Sequence, residues 1–196
     1  SPVGPYPISP ALADPGARLG NYTVSSTNGT LNVTAASLSV AANNAARTYG
    51  ATNPAFSGTI AGIQNNDDIT ATYSTTATVA SPVGPYPISP ALADPGARLG
   101  NYTVSSTNGT LNVTAASLSV AANNAARTYG ATNPVFSGTI AGIQNNDDIT
   151  ASYSTTATVS SPVGPYPITP ALADPGVKLG NYTVSSTNGT LNVTAA

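Results

Sequence analysis

Apolar and polar side chains alternate with a period of two along much of this chain. The pattern is clear in Ser37-Leu38-Ser39-Val40-Ala41, in Ile69-Thr70-Ala71-Thr72-Tyr73 and in Leu111-Asn112-Val113. Such alternation predicts strands with one buried and one solvated face. Over residues 37–116 it predicts strands at Leu38 to Ala42, Phe56 to Ile60 and Ile69 to Tyr73, with Thr75 to Val79 as a continuation. Gly84-Pro85-Tyr86-Pro87-Ile88 reads as a short edge strand, because its prolines remove ladder donors. Turns are expected at Asn53-Pro54, Asn65-Asn66-Asp67-Asp68 and Asp94-Pro95-Gly96. A helix has room only between Pro90 and Leu99, and Asp94-Pro95-Gly96 limits it to about one turn. Tyr102 to Val113 reads as a hairpin closed by Asn108-Gly109, since both central residues of a type I′ turn need positive φ.

The same pattern returns every 80 residues. Residues 1–80 and 81–160 differ only at Ala55/Val135, Thr72/Ser152 and Ala80/Ser160. Residues 161–196 repeat 81–116 with Ser89/Thr169, Ala97/Val177 and Arg98/Lys178 as the only changes, and residues 1–36 are identical to 81–116. This period suits a small domain better than a solenoid repeat. A boundary should not cut the expected hairpin. The domains are therefore phased as 37–116 and 117–196, with 1–36 the C-terminal part of a preceding copy. Only Thr114-Ala115-Ala116-Ser117-Leu118-Ser119 separates Val113 from Val120, with no Gly, Pro or charge run to act as a hinge. Such a junction predicts domains packed end to end as a stiff rod. The short strands with regular turn signals predict all-β, sandwich-like units, with a β-grasp-like unit as the alternative.

Composition removes most chemistry. The chain has no His, Cys, Met or Trp. Zinc ligand sets and Ser-His-Asp or Cys-His systems therefore cannot be built. A Ser-Lys pair has only Lys178 to draw on. Catalysis is not expected. Five Lys and Arg against seven Asp and Glu leave no basic surface for nucleic acid or an anionic membrane. No apolar run reaches membrane-span length and no signal peptide is visible. The chain opens within a repeat, so targeting elements are expected outside these residues.

Several separated motifs resemble a known family. They are Arg47-x-Tyr49-Gly50, Asn53-Pro54-x-Phe56, Gly84-x-Tyr86-x-Ile88, Leu99-x-Asn101-Tyr102 and Asn108-Gly109-x-Leu111-x-Val113, recurring from Tyr129-Gly130 to Val193. In order and spacing they resemble MBG domains of the YGX type, found in large bacterial surface and secreted adhesins, including filamentous-haemagglutinin-like proteins. The resemblance implies extracellular stalks or fibres on the bacterial surface, or secreted, and carries no catalytic residues.

Candidate sites compete with plainer readings. Asp67 and Asp68, with Asp147 and Asp148 in the next copy, sit in the densest oxygen-rich cluster and are the calcium candidates. Their spacing is not that of an EF-hand loop, and Asn and Asp also cluster in plain turns; the turn reading is preferred. Tyr49, Tyr86, Tyr102 and Phe56 could face a glycan, but in a chain with ten Tyr, two Phe and no Trp they are needed as core volume. Arg47 is expected to make a surface stacking contact, with Asp94 or a carbonyl as the other partner considered. A Thr-rich ice face would need a much shorter period, and the Asn28 sequon already serves the expected turn. Lys–Asn isopeptide links need a lysine, which 37–116 lacks.

Three functions follow from different premises. The first is a spacer of rigid repeats whose partners are their own neighbours. The second is a self-assembling fibre in which other copies of the chain are partners and complete 1–36 by strand addition. The third is a weak, multivalent glycan- or protein-binding repeat.

Overall fold

A computed structural model describes residues 1–196, all of them in strands, turns and connecting segments apart from three single 3-10 turns. The strands are β1 (Gly4–Ile8), β2 (Gly29–Val33), β3 (Ala36–Ala42), β4 (Ala45–Thr48), β5 (Gly58–Ala61), β6 (Thr70–Ser74), β7 (Gly84–Ala93) and β8 (Tyr102–Thr107). They continue with β9 (Gly109–Thr114), β10 (Ala116–Ala122), β11 (Ala125–Thr128), β12 (Gly138–Ala141), β13 (Thr150–Ser154), β14 (Gly164–Ala173), β15 (Tyr182–Thr187) and β16 (Gly189–Thr194). The 3-10 turns are Leu19–Asn21, Leu99–Asn101 and Leu179–Asn181. No helix lies against a sheet, so the β-grasp alternative falls and the sandwich-like reading stands. No helix is long and apolar enough to cross a membrane.

The chain forms two compact units. The first comprises Ser1–Asn43, Phe56–Ser74 and Ser89–Gly109; the second comprises Asn44–Ala55, Thr75–Ile88 and Thr110–Ala196. In the first unit, β1 and β2 pair antiparallel, from Gly4 opposite Val33 to Ile8 opposite Gly29. β3 stands between β5 and β8, antiparallel to one and parallel to the other. Leu38, Ile69 and Tyr102 form its buried core, with Ile60, Ile63, Leu92 and Leu99 packed around them.

The second unit holds the whole 117–196 copy, where the topology can be followed through. One sheet has the order β12-β10-β15 and the other β11-β16-β14-β13. Alternation builds the core between them: Ala116, Leu118 and Val120 point inward from β10, and Leu191 and Val193 from β16. Ile168, Leu191 and Val193 meet Ala157, with Phe136, Tyr153 and Tyr166 packed against the cluster. Burial of such side chains contributes about 1.5–3 kcal/mol each, and they hold the sheets together.

Two strand pairs turn from one sheet to the other side by side. β10 runs parallel to β15 from Ala116 opposite Tyr182, and β11 runs parallel to β16 up to Thr128 opposite Thr194. The two partners stay 66 residues apart throughout, and at the bend Thr190 N–H donates to Asn124 Oδ1 at 2.8 Å across that same separation.

This arrangement corrects the expected hairpin. β8 and β9 do not pair with each other, nor do β15 and β16; each pair lies in different sheets. Neither Asn108 nor Gly109 has positive φ. The Asn-Gly is a sheet-switching corner. Its glycine is needed for close approach, since a Cβ on Gly189 would stand 2.5 Å from the Asn123 carbonyl oxygen and 2.8 Å from that of Ala122.

Two further expectations are corrected. β7 and β14 are ten-residue strands that change partner halfway, not short edge strands. Gly164–Ile168 pairs with β16, and Thr169–Ala173 pairs with β13. Pro165 and Pro167 stand two residues apart, so their missing donors face the same side of the strand, and β13 does not cover that half. Thr75 to Val79 is a turn-rich segment, not a strand.

Two of the three expected turns, at Asn65-Asn66 and Asp94-Pro95-Gly96, fall where the sequence placed them; the one expected at Asn53-Pro54 lies instead at Tyr49-Gly50, where Ala51 N–H donates to the Thr48 carbonyl at 3.1 Å. Asn65 and Asn66 (φ 55 for each) and their copies Asn145 and Asn146 are left-handed, a conformation Asn tolerates. Asp94 accepts from Arg98 N–H at 2.9 Å and Leu99 N–H at 2.7 Å, organising the turn before the 3-10 segment. Those two bonds hold its carboxyl below the usual carboxylate range. Val177 takes φ 53 in the matching loop, and nothing in the structure explains a β-branched side chain there. All positions that differ between copies are solvent-exposed except Lys178, which is half-buried. The identical positions include the whole buried core.

Candidate functional site

The second compact unit also contains the place where copy 37–116 meets copy 117–196. The upstream side begins at Arg47, which is 7% exposed. Its Nε donates to Asn53 Oδ1 at 2.7 Å, one terminal nitrogen donates to the Thr48 carbonyl at 3.2 Å and the other to the Thr78 carbonyl. Asn53 Nδ2 in turn donates to the Ala77 carbonyl at 2.7 Å. The expected surface stacking contact is thereby corrected. The guanidinium is a buried tie between two loops, satisfied by oxygen acceptors with no acid involved. A planar fork with five donors suits that task.

The tie positions the next two residues. Tyr49 N–H donates to the Thr114 carbonyl at 2.8 Å and Gly50 N–H to the Val79 carbonyl at 3.2 Å. Gly50 has φ +81, which lets the chain turn away and leaves the Tyr49 ring projecting.

The downstream side is the Asn-rich turn. Asp147 N–H donates back to the Gln144 carbonyl at 2.9 Å, and Ile149 N–H to the Asp147 carbonyl at 2.8 Å. Tyr182, at the start of β15, accepts from Gln144 N–H at 2.9 Å and donates to Asp147 Oδ2 at 2.6 Å. Tyr49 enters beside it: its hydroxyl donates to Asp147 Oδ2 at 3.0 Å, and its ring meets Tyr182 edge-on, 5.5 Å between centroids and 79° between planes. Edge-to-face contact of this kind is favourable beyond the area it buries. A Cβ on Gly50 would lie 2.5–2.7 Å from the Gln144 side chain, so no larger residue fits without displacement. Val83 N–H donates to Asn181 Oδ1 at 2.9 Å, and Asn145 Nδ2 donates to the Val79 carbonyl at 3.3 Å.

Burial pushes the Tyr182 hydroxyl up to about 12, with the Asp147 carboxylate adding to the effect. Tyr49 is raised for the same first reason. Both phenols are therefore held as neutral donors to one carboxylate.

The first unit carries the same downstream half. Tyr102 donates to Asp67 Oδ2 at 2.7 Å and accepts from Gln64 N–H at 2.9 Å, and Val3 N–H donates to Asn101 Oδ1 at 2.9 Å. At the other end of the series, Tyr129 is 49% exposed and Gly130 has nothing near it. Tyr49, its counterpart, is 2% exposed. Of the remaining sequence candidates, Tyr86 and Phe56 are half-buried, with the Tyr86 hydroxyl donating to the Pro82 carbonyl at 2.9 Å. Asp67 and Asp147 accept tyrosine hydroxyls, while Asp68 and Asp148 stay outside that bonding. No three acidic side chains gather anywhere in the chain to hold a metal ion.

The sequence flagged Tyr49, Tyr102 and the acidic turns separately but did not join them. Gln144 and Val83 carried no signal, since each acts through backbone or amide groups that composition cannot single out, and Asn181 was marked only as the copy of Asn101 in a family motif.

No curated protein matches the chain. A solved structure similar to it is the crystal structure of the EC1-3 segment of Drosophila N-cadherin, at 10% identity and a TM-score of 0.28, covering 87% of this chain and 74% of that one. So distant a likeness carries no weight for function. The MBG domain (YGX type) family matches residues 38–112 and again residues 118–192. Each match takes in a Tyr-Gly pair, Tyr49-Gly50 and Tyr129-Gly130, the first of them on one side of the buried joint, and the chain belongs to the MBG domain family of the YGX type.

Proposed function

We propose that this chain is stalk: a run of β-rich repeats, with domains at 37–116 and 117–196, that spaces a binding module away from a bacterial surface as part of an extracellular adhesin-like protein. The observation that carries this reading is the joint at Tyr49. A flexible connection would leave a large aromatic side chain in water; here it is 2% exposed and bonded to the next copy. Two backbone or amide bonds flank it, and no linker residues intervene. Inter-domain motion is the ordinary expectation where contacts are few, and this set of contacts opposes it.

Small-angle scattering of the intact chain tests the proposal. A stiff, extended profile is expected, and Tyr49→Ala should shorten the maximum dimension and add flexibility without loss of the strand signal in circular dichroism. A wild-type profile already like a flexible string of beads would sink the reading. Concentration-dependent bundling of side-by-side chains would favour a self-assembling fibre instead.

A further inference from the structure

We propose that the outer edge of β8, and of its copy β15, docks the same edge of a second copy of this chain, the two strands adding antiparallel into one continuous sheet. Each strand ends its three-stranded sheet, β5-β3-β8 or β12-β10-β15, and has a ladder on one side only. Neighbouring copies do not cover the edge from either direction. β8 is open although a whole copy follows it, and β15 is open although a whole copy precedes it.

An unpaired row of N–H and C=O groups recruits other chains, so free edges are normally blunted. The other edges here are. β11 and β12 are four residues long and β13 is five, and the uncovered side of Gly164–Ile168 carries Pro165 and Pro167. β8 and β15 have none of these devices. Each is six residues, Tyr-Thr-Val-Ser-Ser-Thr, without proline or charge. Their registers against β3 and β10 run unbroken, so no bulge turns them aside. No charged residue stands between Arg98 and Arg127, or between Lys178 and Ala196.

The core is also left open at this edge. Val104 and Val184 stand opposite Leu38 and Leu118, and directly paired residues share a face of the sheet. The two leucines are 1% exposed, yet each valine is 43% exposed. A strand added alongside shields that valine and supplies backbone bonds to the free edge.

A second copy suits the edge better than a foreign partner. No charge is present to select a partner of opposite sign, whereas another copy brings an edge that is equally neutral, equally long and carries the same valine. A two-fold axis makes two such edges antiparallel and returns each contact. One six-residue ladder is a small interface and binds weakly; two edges per chain raise the affinity by avidity. β12 is too short to extend the sheet from its far side, so pairing stops at two chains. The pairing goes beyond the stalk reading. Single-chain stiffness is read at low concentration, where the edges are unpaired, so either property can be lost without the other.

The test is sedimentation equilibrium of the intact chain from micromolar to millimolar concentration. The mean mass should rise from one chain toward two, with little change on adding salt, since no charges meet. Val104→Lys combined with Val184→Lys sets a charge on the core-facing side of each edge and should weaken pairing about ten-fold or more. Thr103→Lys combined with Thr183→Lys lies on the solvent face of the same strands and should do likewise, and it decides the matter if the valine variant fails to fold. Thr59→Lys combined with Thr139→Lys adds the same charge at the opposite edges of the two sheets and should leave pairing intact. A single-chain mass at millimolar concentration would overturn the proposal, as would edge variants that pair like wild type. Equal loss in the Thr59 and Thr139 variant would overturn it too, by pointing to charge and not to this edge. Growth beyond two chains would overturn the closed pair in favour of an open fibre.

Discussion

Residues 1–36 and 81–116 have the same sequence and different structures. Tyr22-Thr23-Val24-Ser25-Ser26-Thr27 is irregular, whereas Tyr102–Thr107 is strand β8. Tyr22 is 72% exposed and Tyr102 8%; Leu31 is 54% exposed and Leu111 0%; Ile8 is 55% exposed and Ile88 0%. The difference lies in what each segment can pair with. β8 takes β3 as its parallel partner, whereas Tyr22–Thr27 lies outside any ladder and only β1 and β2 pair within 1–36. Alternation and β-branched content are therefore permissive, and the partner decides. A strand propensity of at most about 1 kcal/mol behaves in this way.

The comparison can be broken most severely at the core. Leu191→Ala, at a position that is 0% exposed, should destabilise by about 2–5 kcal/mol through lost burial and a cavity. Leu31→Ala, the same residue of the sequence motif, should stay within about 0.5 kcal/mol. Urea unfolding of the two variants checks both; equal effects would mean that 1–36 has found a partner.

A medium effect is expected at the sheet-switching glycine. Gly189→Ala places a Cβ against the Asn123 and Ala122 carbonyls and should cost about 1–3 kcal/mol. Gly29→Ala meets only the Ile8 side chain, at 3.6 Å, and should be close to neutral. If the two proved alike, the Asn-Gly would be serving as a turn after all.

The smallest effect is expected from alkali. Tyr182 has its hydroxyl raised to about 12 in the folded chain, above the ordinary tyrosine value near 10. A raised value means that the neutral phenol stabilises the fold fully below pH about 10, and that this contribution disappears as pH climbs toward 12. The urea midpoint should therefore fall between those limits, and Tyr182→Phe should flatten that fall.

Much of the local structure was legible in the sequence. The buried positions Leu38, Val40, Ile69, Leu111 and Val113 follow from alternation, and the Asn65-Asn66 and Asp94-Pro95-Gly96 turns follow from side-chain chemistry. Pairing was not legible. Alternation looks the same in parallel and antiparallel ladders, so Tyr102–Val113 read as a hairpin when its halves belong to different sheets. Proline spacing suggested an edge, yet at 165 and 167 one half-strand simply leaves one side free. The joint was hidden for a related reason. Arg47 is recognisably unusual in so uncharged a chain, but its acceptors are an amide and two carbonyls, groups present everywhere. Asp147 looked like turn chemistry or a cation ligand because its two phenol donors arrive from residues far away in the chain.

The constant register between the first and last strands of the 117–196 copy has a mechanical consequence. Tension applied through neighbouring copies would pull Ala116 and Thr194 apart along parallel strands. The ladder bonds run across that direction, so they share the load in shear instead of opening singly from one end. A copy built on this register should resist stretching through many weak bonds acting at once.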